Sequence, residues 1–165
     1  MYAPRIPRSW SAAGPGTERG ASEMTAQVKY DDVEAGTELE PRTYPVQRID
    51  LVKYCGASGD FNVIHWNERI AKSVGLPDVI AHGMFTMAEA GRYVTDWIGD
   101  PGAVLDFGVR FSAPVVVPDD DIGATIEVGG KVEEKLDDNR VVLALTARSG
   151  DAKVLSRTRA VVKLA

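Results

Sequence analysis

Few residues in this chain are suited to moving protons near neutral pH. It has two histidines, His65 and His82, and one cysteine, Cys55. His65 closes a polar block, Ser58-Gly59-Asp60-Phe61-Asn62-Val63-Ile64-His65, in which Asp60, Asn62 and His65 stand close together. Aspartate and histidine make a workable acid/base pair because their ordinary pKa values, ~3.9 and ~6.5, straddle the useful range. Partial burial beside Phe61, Ile64 and Trp66 would raise the carboxylate further. A structural reading stands beside this one: Asp60 caps a turn, Asn62 satisfies backbone, and His65 is a hydrogen-bonded core residue. Spacing alone does not choose between them.

A second block, Ala81-His82-Gly83-Met84, falls where a long helix should begin. Backbone N–H groups at such a start are unpaired and carry a partial positive charge, which favours a developing oxyanion. Close packing of helix on sheet accounts for Gly83 equally well, and His82 reads as structural rather than catalytic. Asp60, His65 and Cys55 could just supply three metal ligands, but they do not form a convincing zinc set. A Cys55–His65 nucleophilic pair is equally weak, because Cys55 lies at an apolar helix end. The chain lacks a Gly-rich phosphate loop, a paired-cysteine motif and an aromatic-basic run.

These groups need a scaffold. Residues 43–46 form a candidate strand. Asp50 is placed to cap a helix over residues 51–56, which Gly56 and Gly59 break. Asn67 caps a second short helix over residues 68–74, ended by Gly75 and Pro77. The longest helix is expected over residues 83–98, where Met84, Met87, Ala88, Gly91, Thr95 and Ile98 fall near one stripe. Leu105, Phe107, Val109 and Phe111 then alternate with Asp106, Gly108 and Arg110, the period of a half-buried strand. Ala124, Ile126 and Val128 repeat that pattern, and Gly129-Gly130 inside it reads as a bulge. Asp137-Asp138-Asn139 turns the chain into a strand over residues 140–147 that is apolar on both faces. Gly150-Asp151 leads to a last strand over residues 153–163, with Arg157 and Arg159 on the wet face. The sum is α+β: four antiparallel strands after one long helix carrying small residues. A sheet curled around a central helix is the hot-dog arrangement, although other α+β folds share the order.

Composition narrows the class. The chain has 165 residues, 44% hydrophobic and 26% charged, which suits one ordinary globular domain. Its net charge of −5 is the wrong sign for a nucleic-acid footprint. One cysteine cannot form an internal disulfide, which favours a reducing compartment. No run approaches the ~18 apolar residues of a membrane span. Nor does an apolar stretch of ~7–15 residues follow Arg5 and Arg8, so no signal peptide is expected and the cytoplasm is the expected location. Residues 1–23, punctuated by Pro4, Pro7, Gly14, Pro15, Gly16 and Gly20, read as a disordered extension, with a docking arm on Trp10 as the alternative. Residues 24–165 read as a single domain.

The two blocks together resemble the MaoC-like, or R-specific hydratase, family, which shows Gly-Asp-x-Asn-Pro-Ile-His and Ala-His-Gly-Met at this spacing. Within it the likeness is to the beta subunit (HadB type) of actinobacterial (3R)-hydroxyacyl-ACP dehydratases. Supporting stretches are Tyr93-Val94-Thr95, Val109-Arg110-Phe111 and the run from Gly99 to Val104. Val63 stands where the family has proline, which removes a restraint on the loop but no acid/base group. Asn67 stands where aspartate is frequent. The resemblance implies a hot-dog fold, Asp60 and His65 as the catalytic dyad, Asn62 positioning the water or hydroxyl, and the Gly83 amide as oxyanion donor. The implied reaction is reversible syn elimination of water from (3R)-3-hydroxyacyl thioesters in ACP-linked fatty- or mycolic-acid elongation, with no metal or organic cofactor. It also implies pairing with a related hot-dog subunit, and Arg92, Arg110 and Arg148 are candidates for a patch that meets acidic ACP. Alternatives are a homodimeric enoyl-CoA hydratase, a non-catalytic acyl-binding subunit, and a thioesterase using Glu89 on the long helix.

Overall fold

In a computed structural model the described residues are 26–165; the expected disordered extension lies outside them. Five antiparallel strands form one sheet: β1 (Glu38–Val46), β2 (Val104–Phe111), β3 (Ala124–Leu136), β4 (Arg140–Ser149) and β5 (Ala152–Lys163), in the order β1-β3-β4-β5-β2. Three helices precede β2: α1 (Arg48–Ser58), α2 (Glu68–Ser73) and α3 (Gly83–Ile98). Helix α3 touches both edge strands, β1 and β2, as well as β3 and β5. Five strands at ~4.8 Å spacing would span roughly 19 Å if flat, wider than a helix of about 10 Å, so the sheet must curl to bring both edges to α3.

Helix α3 buries Thr86, Ala90, Tyr93, Val94 and Ile98 along one stripe. The Phe107 ring of β2 sits against the open face of Gly91. Tyr93 carries its hydroxyl inward and donates to the Glu40 carbonyl at 3.1 Å, so the buried phenol is satisfied. Gly99 ends the helix with φ +80°, a left-handed cap that a Cβ would strain. The strand periods and α3 fall where the alternation places them. The β3–β4 turn puts Asp138 and Asn139 at φ 58° and 57°, the two positive values of a type I′ hairpin turn.

Several expected boundaries move. Strand β1 starts at Glu38, five residues before the predicted start, and passes through a bulge where Glu40 and Pro41 face Gly129. The extra residue therefore lies on the partner strand rather than at the glycine pair. Helix α1 begins at Arg48, and Gln47 rather than Asp50 is its cap. Asp50 acts from inside the first turn, accepting from the Gln47 amide at 3.0 Å to close a capping box. Gly56 lies within α1, and only Gly59, at φ +75°, terminates it. Strand β2 is an edge, and its Leu105 and Phe111 are half exposed. Among the described residues no helix is long and apolar enough to cross a membrane.

Helix α1 is held by one fully buried aliphatic side chain, Leu51, while Ile49 and Val52 face outward. Leu51→Ala should cost about 2–5 kcal/mol in urea unfolding, as for other buried leucines. A loss below roughly 1 kcal/mol would show that α1 is not anchored through this contact.

Candidate active site

The loop that leaves Gly59 is built from short side-chain-to-backbone bonds. Asp60 Oδ1 accepts from the Asn62 amide at 3.1 Å, and Asn62 Oδ1 accepts from the Ile64 amide at 3.4 Å. Asn62 thereby caps the 3-10 turn Val63–His65. Asn67 next caps α2 as expected, accepting from the Ile70 amide at 3.1 Å. The structural roles weighed for Asp60 and Asn62 are thus real, and both side chains remain exposed.

Residues 79–81 pair antiparallel with residues 115–117 through Ala81 N–Val115 O and Val117 N–Val79 O, each 2.8 Å. Nothing in the strand alternation marked this small ladder. Between those bonds Ile80 turns toward the loop that carries Asp60 and His65: its amide donates to Ile64 O at 3.3 Å, and its carbonyl accepts from His65 Nδ1 at 2.7 Å. A carbonyl can only accept, so Nδ1 carries the hydrogen and Nε2 holds a bare lone pair. Arg48 braces the ladder from α1. It donates to Val117 O at 2.8 Å and pairs with Asp78 at 2.5 Å and Glu68 at 3.3 Å.

These elements bring together a carboxylate and two imidazoles. A carboxylate oxygen of Asp60 and ring nitrogens of His65 and His82 lie within 4.8 Å of one another. His65 and His82 stack with centroids 3.7 Å apart and planes 24° from parallel. The lone pairs of stacked rings lie in separate, nearly parallel planes, which is a poor arrangement for both to point at one tetrahedral metal ion. His82 replaces Cys55 in the trio weighed from sequence. Cys55 is buried, with Sγ 3.6 Å from His82 Nε2.

Gly83 is the first residue of α3, where the leading amides have no intrahelical acceptor. A Cβ there would meet the Phe111 ring at 3.2 Å, so close packing is one reason for the glycine. Gly83, His65, Thr86 and Phe111 line a cavity of about 300 Å³ between α3 and the end of β2. Glu89, the carboxylate of the thioesterase alternative, instead faces a groove of about 860 Å³ between β1, α1 and α3 that shares no lining residue with this cavity. Its pKa is raised, chiefly by burial. Exposed apolar residues form a rim beside Asp60, His65 and Gly83: Phe61, next to Asp60, is 63% exposed and Trp66, next to His65, 47%, with Val63, Met84 and Phe111 also open.

The family model of the MaoC like domain matches residues 32–149. The chain belongs to the MaoC-like dehydratase family. Over 129 residues, 76% of this MaoC-like chain and 78% of the relative, it is 32% identical to 3-hydroxybutyryl-CoA dehydratase of Methylorubrum extorquens. A shorter stretch of 66 residues, 40% of the chain and 22% of the relative, is 41% identical to 3-hydroxyacyl-thioester dehydratase X of Mycobacterium tuberculosis. Among solved structures, a MaoC-like dehydratase superposes with TM-score 0.83 at 36% identity, covering 99% of this chain and 51% of that one. R-hydratase PhaJ1 from Pseudomonas aeruginosa superposes at 0.73 with 25% identity, covering 86% and 88%. The chain thus spans about half of the first structure and about a fifth of the Mycobacterium relative. The architecture is the hot-dog fold that the resemblance implied.

Burial is the main cause holding His65 below the ordinary 6.5; the Ile80 bond opposes it, the neighbouring His82 adds to it, and Asp60 opposes it. The folded state therefore binds fewer protons at this ring than the unfolded one. The stability contribution is constant above ~6.5 and falls as pH drops below that value. The ring resonances of His65 should titrate with a midpoint under 6.5 in an NMR pH series. A midpoint at or above that value contradicts the desolvated site.

Proposed function

We propose that this chain reversibly dehydrates (3R)-3-hydroxyacyl thioesters to trans-2-enoyl thioesters, with Asp60 and His65 as the dyad. The observation that carries the reading is their approach to within 4.8 Å beside the start of a helix whose first amides have no intrahelical acceptor. The thioester acidifies its C2 proton because the resulting enolate spreads onto the carbonyl oxygen. The Nε2 lone pair of His65 takes that proton, and the Gly83 amide supports the growing negative charge. Such a donor is worth roughly 2.7–4 kcal/mol in comparable sites. Collapse of the enolate expels the C3 hydroxyl, which leaves as water with a proton from the carboxylic acid form of Asp60. The imidazolium then returns its proton to the neighbouring carboxylate. Asn62, bonded into the same turn, positions the water or hydroxyl.

Two surfaces support an assembled form. The apolar rim of Phe61, Trp66, Met84 and Phe111 leaves the dyad incompletely covered, and edge strand β2 offers unpaired backbone. We take the covering partner to be a related hot-dog subunit and the carrier to be ACP, in fatty- or mycolic-acid elongation; Arg110, exposed beside Phe111, is the candidate contact for acidic ACP. A homodimer acting on CoA esters is the second reading. It is favoured by the relative matched over most of its length, which is named for a CoA substrate.

Asp60→Asn and His65→Ala should each slow hydration of crotonyl-CoA by about 10²–10⁴-fold. Asp60→Asn, at an exposed site, should leave the melting curve unchanged, and His65→Ala, at a buried one, should still fold but with a lowered curve. An unchanged rate in either variant overturns the dyad. Matched ACP and CoA substrates in the same assay separate the two carriers by kcat/KM.

A further inference from the structure

We propose that His82 is the positioning residue of this site: its ring holds the Asp60 backbone and the His65 imidazole in register with the first amide of α3. The proposal deepens the dehydratase reading and rests on it.

His82 is 1% exposed and meets three parts of the site at once. Its Nε2 lies 3.1 Å from the Asp60 carbonyl oxygen. One ring face stacks on His65, and the ring also packs on Tyr54 at 4.8 Å between centroids. Its backbone caps α3: the His82 carbonyl accepts from the Thr86 amide at 3.2 Å, and the next residue is Gly83. A shift of this ring therefore moves carboxylate, base and oxyanion donor relative to one another. Misplacement by about 1 Å is enough to cost roughly 10²-fold in rate.

The tautomer follows from the partner. The Asp60 carbonyl only accepts, so Nε2 carries the hydrogen, with Cys55 Sγ as a second, longer neighbour at 3.6 Å. Nδ1 is then a bare acceptor. It is sealed from solvent and has no hydrogen-bond partner among the described residues. A buried orphan acceptor lowers stability, so an apolar residue would serve a purely structural role better. What an apolar residue cannot do is donate to Asp60. His65 carries the opposite tautomer, so that of the two stacked rings one donates to the Ile80 carbonyl and the other to the Asp60 carbonyl.

The test uses full-length protein labelled with [15N]histidine, in which the two histidines give two ring patterns in a long-range 1H–15N correlation spectrum. The expected result is Nδ1–H for His65 and Nε2–H for His82, assigned by the pattern lost in His82→Gln. A His82 ring protonated at Nδ1 alone overturns the proposal. Kinetically, His82→Leu should lower kcat by about 10–100-fold with KM changed less than about twofold. His82→Gln, whose amide reaches the Nε2 position, should recover most of that loss. Equal losses in both variants, or a loss confined to KM, overturn the proposal. If His82→Gln fails to fold, the unassigned wild-type spectrum still decides: one Nδ1–H and one Nε2–H pattern support the proposal, and two Nδ1–H patterns overturn it. Wild-type protein with these tautomers but no hydratase activity would sink the dehydratase reading while the ring geometry stood.

Discussion

The bond from His65 Nδ1 to the Ile80 carbonyl, 2.7 Å long, is the contact on which the candidate chemistry depends. It settles which nitrogen of a buried imidazole is free to take a proton. Ile80 can supply that carbonyl because residues 79–81 are fastened to residues 115–117 on either side of it. Arg48 ties the same ladder to α1 through Val117 and Asp78, so α1, the ladder and the Val63–His65 turn are braced together. Without the ladder the carbonyl would be one loop oxygen among several, and the ring would lose its fixed tautomer.

Burial and geometry act in the same direction here. The desolvation that lowers the His65 pKa keeps the ring neutral, hence basic, at neutral pH. Asp60, by contrast, stays at the surface on a turn held by its own backbone bonds, where an approaching hydroxyl can reach it. Curling the sheet around α3 places the start of that helix beside both groups. The fold thus brings a carboxylate, an imidazole and the start of α3 together from one loop and one helix end, the groups that the proposed reaction needs.

Much of this was legible in the chain, for reasons that differ by element. Strands β2 to β5 and helix α3 announce themselves through periods of two and of 3.6 that are long enough to read. The proximity of Asp60 and His65 was legible because Asp60, Asn62 and His65 sit in one loop and match a family pattern. The start of α1 was misplaced because Asp50 resembles a cap, whereas it works backward from the third helical position onto Gln47. Gly56 resembles a breaker, yet a right-handed helix accommodates glycine at a cost of about 1 kcal/mol. The 115–117 ladder has too few residues to show alternation. His82 meets Asp60 across 22 positions of chain, a contact set by tertiary packing that no local spacing rule reveals.

The central claim is that Asp60 and His65 act as one unit on one substrate, and a kinetic double-mutant cycle tests it most directly. With crotonyl-CoA, kcat/KM would be measured for wild type, Asp60→Asn, His65→Ala and the double variant. Groups that work together give grossly non-additive losses, so the double variant should be no slower than the slower single one. Losses that multiply would mean that the two side chains contribute independently, and the shared site would be contradicted.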